Sequence, residues 1–81
     1  MERVLECGAL YRHFKGGLYR ALFLARRAED ETVVVVYEPQ YAKGTYWTRA
    51  LDEFLSEVDH QKYPDAGQRY RFEKIENETE Q

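Results

Sequence analysis

Thr32 to Tyr37 reads TVVVVY, and this run does most to limit what the chain can become. Four consecutive β-branched valines are stiff at χ1, which crowds a helix and suits a pleated strand. Pro39 ends the run, because proline donates nothing to a strand ladder. Around this anchor the other segments read mostly as strands. Leu10–Phe14 is a short one. Lys15-Gly16-Gly17 follows as a hairpin bend, since glycine takes positive φ without a Cβ clash. Leu18–Arg26 is a longer strand, with Tyr19, Ala21, Phe23 and Ala25 on one face and Leu18, Arg20, Leu22, Leu24 and Arg26 on the other. Tyr46–Ala50 is a fourth strand, placing Trp47 and Arg49 on one face and Tyr46 and Thr48 on the other. Arg69–Ile75 is the last.

Between the last two strands the period changes. Leu51, Phe54, Leu55 and Val58 fall at i, i+3, i+4 and i+7, with Asp52, Glu53 and Glu57 on the remaining surface. That pattern predicts an amphipathic helix of about two turns. Five strands and one short helix leave few architectures, because a half-open sheet exposes a face that so small a core cannot cover. The expected fold is mainly β: a small SH3-like barrel of about five strands with one short helix before the last strand. It occupies residues 8–75, after an N-terminal extension (1–7) that includes a frayed Cys7 and before an acidic, disordered tail (76–81).

With 81 residues there is room for one domain, burying about 60–65% of the surface its unfolded form exposes. Cys7 is the only cysteine, so no disulfide framework assists the core. A lone thiol suits a reducing compartment. The opening MERVLECGALYRHF lacks the apolar stretch of a signal peptide, and no segment approaches the roughly 20 apolar residues of a membrane span. A cytoplasmic, soluble protein that does not engage membranes is expected.

Several separated residues, in order, resemble a known family. They are Gly8, Tyr11, His13, Lys15-Gly16, Tyr19, Ala25, Val35-Val36-Tyr37, Trp47, Arg49, Phe54 and Arg71-Phe72. Their pattern, G-x-x-Y-x-H-x-K-G-x-x-Y, then V-V-Y, W-x-R and a closing R-F, is similar to that of a bacterial domain-of-unknown-function family, number 1653. The resemblance spans Gly8 to Ile75 and implies an SH3-like barrel; it implies no activity. Ala50 stands where that family usually has proline, and Arg27-Ala28-Glu29-Asp30 replaces a His-Ser-Glu-Thr-like turn.

Chemistry is sparsely encoded. His13, His60 and Cys7 have no metal-ligand spacing, so no metal or other cofactor is expected. Lys15-Gly16-Gly17 is not a phosphate loop, which requires G-x-x-x-x-G-K-[ST] opening a helix; here the glycines lead into a strand. The side chains around that bend are more informative. Tyr11 and His13 share a strand face that Lys15 extends, and Trp47 and Arg49 share another. With Tyr37, these six form the candidate binding residues, uniting a neutral-range titrating ring, a guanidinium fork and stacking surfaces. The competing assignment puts Trp47 and Tyr37 in the core, bonds His13 to a backbone carbonyl and pairs Arg49 with an acid such as Glu38.

Three functions follow from the first assignment. An aromatic-basic surface on a small barrel engages a protein or peptide partner; this is the leading expectation. Alternatively, Arg12, Lys15, Arg20, Arg26 and Arg27 with aromatic stacking bind nucleic acid, against which the formal net charge of −3 argues. An enzyme working through His13 and Arg49 is the third, and the expectation is that the chain is not one. The sequence leaves the oligomeric state open.

Overall fold

The computed structural model describes residues 3–75. The expectation of an acidic, disordered tail over 76–81 lies outside the described residues. The elements are β1 (Leu10–His13), β2 (Leu18–Arg26), β3 (Val33–Pro39), β4 (Trp47–Ala50), α1 (Leu51–Phe54) and β5 (Phe72–Lys74). All strand pairs are antiparallel, and they form one sheet in the order β4-β3-β2-β1-β5. The first four strands are therefore a meander, and the last returns to the free side of β1.

The core draws on nearly every element. Tyr11 from β1, Ala21 from β2, Val35 and Tyr37 from β3, Phe54 from α1 and Phe72 from β5 are all buried in one cluster. Phe54 and Phe72 stack at 4.0 Å with their planes 4° apart, and Tyr11 and Tyr37 meet Phe54 edge-on at 5.3 and 5.4 Å. Phe72 belongs to one edge strand and Arg49 to the other, yet the Arg49 guanidinium carbon lies 5.8 Å from the centre of the Phe72 ring. The sheet thus curls until its two edges approach across the core, which makes the fold barrel-like.

Several details differ from the sequence reading, each for a local reason. A register shift between Ala21 and Phe23 marks a bulge in β2 against β3. Beyond it Phe23 pairs with Val36 and Leu24 with Val35, whereas Ala21 pairs with Tyr37. Directly opposed residues share a face, so the extra residue turns Phe23 and Ala25 away from the face that holds Tyr19 and Ala21.

The helix is one turn, not two. The Ser56 hydroxyl donates to the Glu53 carbonyl at 2.6 Å, taking the acceptor a continuing helix would give to residue 57. Residues 56–58 then turn extended: Arg71 N–H donates to Ser56 O at 2.9 Å and Val58 N–H to Arg69 O at 2.8 Å, around an isolated Glu57–Tyr70 bridge. Val58 is buried through this pairing instead of through helical periodicity.

The same pairing shortens β5, because residues 69–71 are engaged by 56–58 before the chain reaches β1. Within the N-terminal extension, Arg3 and Leu5 are also tied down. The Arg3 guanidinium donates to the carbonyls of Leu55 and Phe72, both at 2.7 Å, and lies 3.9 Å over the Tyr70 ring. Leu5 packs on the core. Arg3 is a clasp over the join between the helical turn and the last strand.

Candidate functional site

Sheet register decides which side chains can meet. Tyr11 opposes Tyr19, His13 opposes Phe72, Tyr37 opposes Trp47, and Val35 opposes Arg49. Cross-strand partners share a face, so Tyr11, His13, Tyr19, Tyr37, Trp47 and Arg49 all belong to the inner face of the curled sheet. The outer face carries the row Phe23, Val36 and Thr48.

Within this set the residues play different parts. Tyr11 and Tyr37 are buried to within 2% and belong to the core. The Tyr11 hydroxyl accepts from the Glu6 N–H at 3.0 Å. The Tyr37 hydroxyl accepts from Arg49 Nε at 3.3 Å. Trp47 lies at the rim, 48% exposed, with Tyr46 (62%) before it and Tyr41 (68%) near by in the preceding loop. Tyr19 joins the two zones: its ring meets Tyr37 and Phe72 edge-on at 5.6 and 5.7 Å, and its hydroxyl bonds that of Tyr41 at 3.3 Å. Burial, helped by the Tyr41 contact, pushes the Tyr19 phenol up to about 12.

His13 sits half-buried between Phe14 and Phe72, with ring centres 4.7 and 4.9 Å away. Its Nδ1 accepts the Lys15 N–H at 3.1 Å, which fixes the neutral tautomer with its hydrogen on Nε2. Burial is the largest influence on its basicity, followed by the positive charges of Arg49, Arg71 and Lys15; together they hold the imidazole down at about 4. The competing sequence assignment placed this ring against a backbone carbonyl, and that bond is absent among the described contacts of His13. Arg49 likewise pairs with Glu53, Nη1 to Oε2 at 3.6 Å, while Glu38 accepts instead from the Gly44 N–H at 2.7 Å.

Lys15 departs from the strand line. The bend is closed by Gly16 N–H on His13 O at 2.8 Å and His13 N–H on Gly17 O at 3.1 Å, with Gly16 and Gly17 at φ 102° and 90°. The first of these bonds begins a turn at His13, so β1 stops one residue early and Lys15 swings aside. Its ammonium sits 4.8 Å over the Tyr63 ring, at an open cleft of about 340 Å³ lined by Phe14, Lys62, Tyr63 and Pro64.

Three residues of the site were not singled out from sequence. Arg71 and Phe72 stood only in the motif pattern and Tyr19 there and in the alternation of β2; they supply a cation, the floor and the bridging ring. The signal was there: the closing Arg71-Phe72 repeats the aromatic-next-to-cation pairing of Phe14-Lys15. Arg71 Nε donates to Ser56 Oγ at 3.4 Å, and its guanidinium carbon lies 5.9 Å from the Phe14 ring centre. Among the described residues no carboxylate pairs with Arg71 or Lys15, and no three His, Cys, Asp or Glu side chains gather as a metal site requires. No helix among them is long and apolar enough to cross a membrane.

A family model described as a protein of unknown function, DUF1653, matches residues 9–74. The chain belongs to the DUF1653 family. A crystal structure of a DUF1653 protein from Bordetella bronchiseptica is similar throughout, with 37% identity, a TM-score of 0.72, and coverage of 94% of this chain and 95% of that one. No functionally curated protein matches. All the inner-face residues described above lie within the matched DUF1653 segment.

Proposed function

We propose that this DUF1653 protein is a binding module that holds an extended peptide segment of a protein partner across the rim of an SH3-like barrel in the cytoplasm. The observation that carries the reading is that exposed Trp47 shares one sheet face with Tyr19, Arg49 and His13, while exposed Tyr41 reaches Tyr19 from the neighbouring loop. A meander whose last strand returns beside the first, with a short helix between β4 and β5, supports the SH3-like description. Rigid aromatic side chains offer large contact area with few rotatable bonds, and Arg and Trp are enriched among residues that dominate binding energy. The rim suits a chain that alternates apolar and polar side chains.

Nucleic acid is the weaker reading. Of the basic residues that motivated it, Arg20 is tied to the Gly8 carbonyl at 2.7 Å and Arg27 to Asp30 at 3.2 Å. The chain as a whole is acidic. Selection from a displayed peptide library tests both. Enriched peptides bind with micromolar affinity, and Trp47→Ala weakens them by about tenfold or more, in line with the loss of an interface anchor. Failure to enrich any sequence, or equal binding by Trp47→Ala, overturns the module. Tighter binding of a thymidine octamer that weakens steeply with salt favours nucleic acid instead.

A further inference from the structure

The cations beside His13 have more in common than charge. Arg49 and Arg71 are each held by Nε, one on the Tyr37 hydroxyl and the other on Ser56 Oγ. Each also lies against a ring that flanks His13: Arg49 near Phe72, Arg71 near Phe14. Anchoring through Nε leaves the terminal nitrogens for other work. Both Nη atoms of Arg71 lack a protein acceptor among the described residues, while Arg49 places one on Glu53 and keeps the other. His13 carries its hydrogen on Nε2, because Nδ1 is taken by the Lys15 amide, and among the described residues that Nε2–H has no acceptor.

We infer that the surroundings of His13, where these two guanidiniums lie against its flanking rings, are a subsite for a single carboxylate of an acidic peptide, bound by the remaining guanidinium nitrogens of Arg71 and Arg49 and the Nε2–H of His13. The inference deepens the peptide-binding reading and rests on it for the identity of the ligand. Three cations against one partly engaged acid leave local positive charge that an anion neutralises. Planar forks match a carboxylate through paired, charge-assisted hydrogen bonds. The apolar walls of Phe14 and Phe72 raise the strength of such bonds by thinning the surrounding water. A short-range subsite in an acidic protein favours one isolated carboxylate over a polyanion, which the net charge of −3 repels. The depressed basicity of His13 comes first from burial, and the charges of Arg49, Arg71 and Lys15 add to it.

Nuclear magnetic resonance titration of the full chain tests this with four probes at matched ionic strength: N-acetyl-glutamate N-methylamide, its glutamine counterpart, inorganic phosphate and a thymidine octamer. The blocked glutamate is expected to shift the His13 Cε1–H and the Nε–H signals of Arg49 and Arg71 saturably, with the glutamine compound silent. Arg71→Gln raises the dissociation constant by about tenfold, and Arg49→Gln serves as a second variant. Equal shifts from the glutamine compound, saturation by phosphate or the octamer at lower concentration, or no saturable shift at all each overturn the carboxylate subsite. Displayed peptides that need Trp47 while the glutamate probe is silent defeat this inference and leave the module standing. Saturable glutamate binding with no enriched peptide defeats the module and leaves the subsite.

Discussion

Arg49 Nε donates to the Tyr37 hydroxyl at 3.3 Å, so a buried core tyrosine holds the guanidinium that borders the candidate site. One side chain thereby serves both packing and positioning. Tyr37→Phe keeps the ring and removes the acceptor. It is expected to lower stability by about 0.5–1.5 kcal/mol, the usual net worth of one hydrogen bond. Urea denaturation measures that loss. The same variant broadens or shifts the Arg49 Nε–H resonance, which a purely structural role for Tyr37 does not require.

His13 gives a pH dependence whose sign is fixed. Its folded value, about 4, lies below the ordinary 6.5, so between these limits the unfolded chain binds a proton that the folded one refuses. Stability from this residue is therefore complete above about 6.5 and is lost as pH falls towards about 4. Burial is the main cause, followed by the charges of Arg49 from β4, Arg71 ahead of β5 and Lys15 in the bend; the Tyr19 ring of β2 also faces it, and Glu53 of α1 pairs with Arg49. His13→Gln should flatten the slope of stability against pH in that window relative to wild type. An unchanged slope contradicts the assignment.

Arg3 is a clasp, and its removal tests whether the N-terminal arm contributes to folding. Arg3→Ala deletes two bonds to carbonyls at 2.7 Å and a contact with Tyr70. A loss of about 1.5–3 kcal/mol is expected, since hydrogen bonds to charged groups exceed neutral ones. Thermal unfolding should shift down accordingly, with the sheet otherwise intact by circular dichroism.

Gly17 answers for the bend. At φ 90° an added Cβ is strained, and it would stand 3.3 Å from Cε1 of Tyr19. Gly17→Ala is expected to cost about 1–2 kcal/mol and to displace the Tyr19 ring. Loss of the Tyr19–Tyr41 contact should show as a change in the Tyr19 ring signals. Gly16→Ala, equally left-handed but with open space around its Cβ, separates backbone strain from the clash.

Much of this molecule is legible in its sequence, and the gaps have causes. The valine run, the glycine bend and the W-x-R segment encode strands by local chemistry, and β1 to β4 follow within one or two residues of the bounds read. The LDEFLSEV period is also real, but it states burial, not helix length. Ser56 and the partner strand 69–71 stop the helix, and neither influence is visible in a local window. A single inserted residue at Leu22 overturns strict alternation in β2, because register depends on the partner strand. For the candidate site, alternation placed Trp47 with Arg49 and Tyr11 with His13. It took the curl of the sheet to bring β5 across to β4 and add Arg71 and Phe72.

The inner face of the sheet is the one expected to meet a partner. Chemical-shift mapping with one enriched peptide decides it most directly. The largest changes are expected at His13, Tyr19, Tyr41, Trp47, Arg49 and Arg71, all lost together in Trp47→Ala. Changes confined to the outer row of Phe23, Val36 and Thr48, or spread evenly over the chain, would contradict it.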